Sequence, residues 1–242
     1  MDFISNNNDF KLEQTSVWSF PDRGNWATHS GNYRGNWSPY IPRNLILRYS
    51  NENDWVLDPF VGSGTTAIEA ALLNRNFIGV DINQKAVDLT QNNLISIESK
   101  CKSYVKVGNA NNLDFTNDNS VDLVCMHPPY CNIIKYSQSI AGDISLLEEQ
   151  EFYEQMRQVA YEGLRVLKKG KFLGILIADM RKHGSIVPMG FNIMNIFREV
   201  GFDLKDIVIK EQHNCSSTDK WTNMEKRNFL LIQHEYLFIF KK

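Results

Sequence analysis

From residue 55 onward, short apolar runs alternate with stretches whose apolar positions recur every three or four residues. WVLD (55–58), FIGVD (77–81), YVKV (104–107), VDLVCM (121–126) and KFLGILIAD (171–179) read as strands. DLKDIVIK (203–210) and YLFIF (236–240) add two more near the C-terminal end. Between them, residues 65–75, 84–99, 148–170 and 191–201 carry helical periodicity. In the long helix over 148–170, Phe152, Met156, Val159, Leu164 and Leu167 form one stripe, and Gly170 is the expected stop. A further helix is predicted over 38–50, with Ile41, Leu45 and Tyr49 on one face and Ser38 and Pro39 at its start. Strands alternating with helices imply βαβ units and a mostly parallel sheet covered on both sides. The expectation is an α/β, doubly wound, single catalytic domain over 38–242, preceded by an irregular segment over 1–37. That segment holds RGNW twice, at 23–26 and 34–37, read as two similar turns whose tryptophans pack on the domain.

In a sheet of this kind, ligands bind beyond the carboxyl ends of the strands. DPFVGSGTTA (58–67) lies there, between the first strand and its helix. Gly62 and Gly64 let a ligand approach the backbone, and the helix start offers free N–H groups to an anion. Asp81 ends the second strand, where a carboxylate typically bonds ribose hydroxyls. Gly62, Gly64 and Ala67 formally fit the dinucleotide fingerprint. Yet Asp58 to Val61 intervene between strand and glycines, and a carboxylate at the strand tip repels a diphosphate. The same carboxylate suits an ammonium group, which points to S-adenosylmethionine: cationic, with a ribose and without phosphate. Asn109, after the third strand, is either a hydrogen-bond partner for an adenine edge or a turn residue.

The fourth strand ends in His127, Pro128, Pro129 and Tyr130. Proline cannot extend a sheet ladder, so adjacent prolines mark a stiff loop at the ligand-binding end.

Together these stretches resemble the S-adenosylmethionine-dependent DNA methyltransferases that modify exocyclic amino groups, N6 of adenine or N4 of cytosine. LDPFVGSGTT (57–66), GVDI (79–82) and HPPY (127–130) carry the resemblance, supported by LRVLKKGK (164–171) and HEYLFIF (234–240). It implies a Rossmann-like class I methyltransferase fold. It assigns Asp58, Pro59, Phe60, Gly62, Ser63, Gly64, Thr65 and Thr66 to the cofactor loop, with Asp81, Ile82, Asn109 and Ala110 beside it and Ser38 at the methionine end. The catalytic loop would be His127, Pro128, Pro129 and Tyr130. His127 and the carbonyl of Pro128 would accept hydrogens from the amine, and Tyr130 would stack on a base extruded from the duplex. The motif order, cofactor loop before catalytic loop, matches the γ-type members. Family members mostly carry Asp, Asn or Ser at the position of His127. The uncharged residue leans the target toward cytosine N4. Neutral imidazole accepts where protonated imidazole cannot, so activity is expected to fall below about pH 6.5.

Composition adds less. Net charge is −2 over 242 residues, which rules out a uniformly basic coat but not a basic face. Arg23, Arg34, Lys135, Arg181, Lys182, His183, Lys220, Lys226 and Arg227 are candidates for phosphate contacts with double-stranded DNA. Residues 178–190 and 210–227, with Trp221, read as long polar recognition loops. No separate target-recognition domain is evident, so specificity is expected from these loops, the 131–149 insertion or a second subunit, a homodimer included. Four cysteines without a Cys-x-x-Cys pair, no signal peptide and no bilayer-length apolar run fit a cytoplasmic protein without membrane contact. Competing readings are an RNA guanine-N2 methyltransferase, an inactive cofactor-binding subunit and, more remotely, a dinucleotide oxidoreductase.

Overall fold

The computed structural model describes residues 10–131, 140–214 and 228–242. Strands β1 (Val17–Trp18), β2 (Trp55–Asp58), β3 (Asn76–Asp81), β4 (Ser103–Val107), β5 (Val121–Met126), β6 (Leu167–Ile177), β7 (Met180–Lys182), β8 (Ser185–Val187), β9 (Asp203–Glu211) and β10 (His234–Lys241) combine with helices α1 (Tyr40–Tyr49), α2 (Thr65–Leu72), α3 (Gln84–Ile95), α4 (Glu149–Val166) and α5 (Met189–Val200). One sheet has the order β1-β9-β10-β6-β5-β2-β3-β4, and β7 and β8 form a separate hairpin. Strands β2 to β6 run parallel. β10 is inserted between β6 and β9 and is antiparallel to both.

The sheet separates two apolar cores, and residue alternation shows which is which. In β10, Tyr236, Phe238 and Phe240 face α4 and α5, whereas Leu237 and Ile239 face α1 and α2. Strand β5 does the same, with Val124 and Met126 on one side and Leu123 and Cys125 on the other. Burial on both faces explains why its sequence is nearly all apolar. Helix α1 approaches β6 so closely that a Cβ on Gly174 would lie 2.8 Å from Leu45 Cδ1.

The N-terminal segment is woven into this core. Val17–Trp18 pair in parallel with Ile209 and Lys210, and Trp18 and Trp37 are buried. Glu69 of α2, fully buried, receives Trp26 Nε1 at 2.7 Å, His29 Nε2 at 2.7 Å and Arg43 Nη1 at 2.8 Å. One carboxylate therefore ties the first RGNW turn to α1 and α2.

Two predicted boundaries move. Helix α4 ends at Val166, and Leu167 already pairs with Val121 at the start of β6. Gly170 stops no helix; it sits inside the strand with φ +78. The freed helix carbonyls have another partner: Lys242 Nζ donates to Leu167 O at 2.7 Å and also to Leu164 O. Helix α2 ends at Leu72, short of Arg75, because Asn74 turns the chain with φ +58. The predicted recognition loop over 178–190 is largely the β7–β8 hairpin, turned by His183 (φ +51) and Gly184 (φ +82). Lys135, Lys220, Trp221, Lys226, Arg227 and most of the 210–227 loop lie outside the described residues.

Candidate active site at the strand ends

Strand β2 delivers Asp58 to the carboxyl edge of the sheet, and the chain then makes a tight, braced turn. Val61 N donates to Val80 O at 2.9 Å, Gly62 N to Asp81 Oδ2 at 3.0 Å and Gly64 N to Val61 O at 2.8 Å. From α3, Thr90 Oγ1 donates to Gly62 O and Asn93 Nδ2 to Ser63 O, both at 2.9 Å. Gly64, φ +86, caps α2, and a Cβ there would meet Thr90 Cγ2 at 2.8 Å. The loop is thus held from both neighbouring strands before any ligand arrives.

A cavity opens above it. Asp58, Pro59, Phe60, Gly62, Ser63, Thr65, Asp81, Ile82, Asn109, Ala110, His127 and Pro129 all line it, as the sequence suggests. Gly64 and Thr66 do not. Gly64 packs on Thr90, and the Thr66 hydroxyl donates to Asp58, so both brace the wall from behind. Ser38 also lies elsewhere: its hydroxyl donates to Arg23 O at 2.8 Å and it borders a second cavity. Asn109 satisfies both of its readings. Its Oδ1 accepts from Asn111 N at 3.2 Å in a turn, and the residue lines the cavity.

Sequence reasoning missed the roof. Tyr33, Asn36 and Trp37, from the second RGNW turn, and Gly142, Asp143 and Ile144 close over the same space. The described part of the 131–149 insertion therefore covers this cavity.

The lining contains Asp58, Asp81 and Asp143 and no Lys or Arg. Burial pushes Asp58 up to about 7, against the opposing bonds from Thr66 and Phe60. Burial likewise raises Asp81, offset by the N–H groups of Asn83 and Gly62. Such a wall repels a diphosphate and favours a cation. The residues present fit S-adenosylmethionine: carboxylates for the positive groups and the ribose, and a glycine-lined turn for close approach.

The second cavity lies on the far side of the β5 loop, bordered by Pro128, Tyr130, Lys210, Gln212 and Glu235. His127, Trp37, Asn36 and Gly35 border both cavities. Trp37 stacks on His127 with centroids 5.7 Å apart and planes at 20°. Arg23 Nη2 donates to Trp37 O at 2.9 Å, so the arginine of the first RGNW turn anchors the tryptophan of the second. Tyr130 OH donates to Glu235 Oε1 at 3.0 Å and lies 3.4 Å from His127 Nε2. Glu235 pairs with Lys210 at 2.9 Å. Burial drives His127 down to about 4, despite the upward pull of Glu235. That overturns the expected loss of activity near pH 6.5.

Of the candidate phosphate contacts, Arg23 is engaged internally. Arg181 donates to Gly184 O at 2.7 Å and Leu230 O at 2.8 Å. Arg34, Lys182 and His183 are exposed.

Residues 3–92 match the family model described as DNA methylase, of the N6/N4 class. The chain is 31% identical over 94 residues to the type II methyltransferase M2.MboI of Moraxella bovis, covering 39% of this chain and 34% of that protein. It is 59% identical over 51 residues to M1.MboII of the same organism, covering 19% and 20%. The chain is a relative of the S-adenosylmethionine-dependent DNA amino-methyltransferases. The matches span about a third or less of these curated relatives. Residues 53–167 of this methyltransferase relative also match the model described as RNA cap guanine-N2 methyltransferase. Among solved structures, TrmN from Thermus thermophilus superposes with a TM-score of 0.59 at 17% identity, over 86% of this chain and 50% of that one. An S-adenosylmethionine-dependent methyltransferase from Methanosarcina mazei gives 0.55 at 18%, over 81% and 96%. Both show the class I methyltransferase fold. S-adenosylmethionine is the cofactor that accompanies this kinship. No helix among the described residues is long and apolar enough to cross a membrane.

Proposed function

We propose that this protein transfers a methyl group from S-adenosylmethionine to an exocyclic amino group of a base in double-stranded DNA, with cytosine N4 favoured over adenine N6. The carrying observation is the loop from His127 to Tyr130, which stands between two cavities: Pro129 borders the acidic one and Pro128 the other. Bound in the first cavity, S-adenosylmethionine supplies an electrophilic methyl on a sulfonium sulfur.

The second cavity would receive the base. A base inside a duplex cannot reach it, so the nucleotide is flipped out. His127 and the Pro128 carbonyl accept the amine hydrogens, which localises the nitrogen lone pair toward the methyl. As the new N–C bond forms and the old S–C bond breaks, the nitrogen sheds one proton through those same acceptors. The prolines fix the loop beforehand, so the acceptors need little reorganisation. Trp37 walls the passage and Tyr130 offers a ring to the base. The lean to cytosine N4 rests on the uncharged His127. Phosphate contacts would fall to exposed Arg34, Lys182 and His183, and a second copy or partner subunit would extend the recognition surface.

A second reading, an RNA guanine-N2 methyltransferase, draws on the match over residues 53–167. Incubating the purified chain with labelled S-adenosylmethionine and either genomic DNA or total RNA separates the two. Label in DNA, recovered as N4-methylcytosine after digestion, is expected. Label confined to RNA would overturn the DNA reading, and N6-methyladenine alone would overturn the cytosine preference.

A further inference from the structure

Glu235 is the polar member of an apolar strand, buried and directly opposite Lys210 in the β9–β10 ladder. Its Oε2 accepts from Lys210 Nζ at 2.9 Å, and its Oε1 accepts from the Tyr130 hydroxyl at 3.0 Å. The Tyr130 oxygen is 3.4 Å from His127 Nε2. Among the described residues, His127 Nδ1 has no hydrogen-bond partner, and the ring borders both cavities.

Proton counting decides the rest. Burial favours the protonated form of Glu235, but Lys210, then His127, hold its carboxyl below the usual range. An ionised carboxylate accepts only. A phenol has one hydrogen, and it is committed to Glu235. The phenol oxygen can then only accept from His127, so Nε2 must be the protonated nitrogen. The lone pair is left on Nδ1. The groups facing His127 are Trp37 from the N-terminal segment, Tyr130 from its own loop, Lys210 from β9 and Glu235 from β10. None of the others dictates a tautomer.

We propose that Glu235 is a positioning residue which, through Tyr130, holds neutral His127 as the Nε2–H tautomer and keeps Nδ1 as the acceptor for the substrate amine. The second half rests on the amino-methyltransferase reading; the tautomer does not. A carboxylate at position 127 would accept from either oxygen and need no such help. An imidazole accepts at one nitrogen only, and the wrong tautomer would aim an N–H at the amine hydrogens.

The test is ¹⁵N NMR of the full chain labelled at histidine ring nitrogens, at pH 7.5 without nucleic acid, with His127→Gln providing the assignment. In the wild type, Nδ1 is expected at the unprotonated and Nε2 at the protonated ring-nitrogen frequency. Tyr130→Phe keeps the ring but removes the relay, so both signals should move toward averaged values. Glu235→Gln retains an acceptor for the phenol and should preserve the wild-type pattern. A wild-type Nδ1–H tautomer, or a pattern unchanged in Tyr130→Phe, would overturn the proposal. In single turnovers Tyr130→Phe should slow methyl transfer on the order of tenfold while KM for DNA holds. A wild type with the expected spectrum that methylates no DNA would sink the functional reading and leave the tautomer assignment standing.

Discussion

Acidification tests His127 directly, because geometry and sequence disagree about its outcome. An ordinary histidine titrates near 6.5, and at pH 5.5 only about 9% of it would stay neutral. Packed against Trp37 and Tyr130, His127 is driven to about 4 by burial, with Glu235 pulling up and Lys210 down. On that value about 97% of the ring is still neutral at pH 5.5. Single-turnover methyl transfer, followed by rapid quench with labelled S-adenosylmethionine, should keep at least about nine tenths of its pH 7.5 rate at pH 5.5. The donor must be saturating, since Asp58 titrates near 7 and shifts donor affinity within the same window. The same burial weakens folding in acid. The unfolded histidine takes up its proton below about 6.5, the folded one only near 4. Stability therefore falls as pH drops through that interval, by about 1.4 kcal/mol at pH 5.5. Asp58 opposes this, because its raised folded value makes protonation favour the native state. A fall to about a tenth of the rate at pH 5.5, with folding and donor saturation verified, would refute the burial argument.

Other outcomes follow from the same geometry. Because the folded value of Asp58 is raised to about 7, donor-free stability should decline as pH rises from 4 to 8, by up to about 4 kcal/mol. Asp58→Asn should flatten that slope in urea titrations and weaken S-adenosylmethionine binding roughly tenfold by calorimetry. Unchanged affinity would remove Asp58 from the donor site. Glu69→Ala strands Arg43 and His29 in the core and should cost roughly 3–5 kcal/mol in denaturant titrations; a loss under 1 kcal/mol would mean the N-terminal segment is held by packing alone. Gly64→Ala forces a left-handed φ on alanine and a contact with Thr90, which should lower stability by about 1–2 kcal/mol and impair donor binding. Wild-type values in both assays would show that the loop has room to relax.

The parts legible in the sequence are those whose cause is local. Strand alternation, the glycine turn and the paired prolines each lie within ten residues of the features that explain them. The α4–β6 boundary was hidden because Leu164 and Leu167 continue a helical stripe; pairing of Leu167 with Val121 decides it. Trp37 belongs to a tetrapeptide that the sequence flags, but its stacking on His127 joins positions ninety residues apart. Glu235 stands out as a charge in an apolar strand. Its partners Tyr130 and Lys210 are set by sheet register, which no periodicity reveals.

The placement of β10 bears on how the protein comes off the ribosome. Strands β6 and β9 both precede β10 in the chain, yet neither touches the other until β10 enters the gap between them. A nascent chain exposes two raw sheet edges while it waits, and must keep them from pairing elsewhere. Since Glu235 travels on that strand, the methyl-transfer loop gains its underpinning only when the sheet closes, so incomplete chains would hold the donor cradle without a finished catalytic centre.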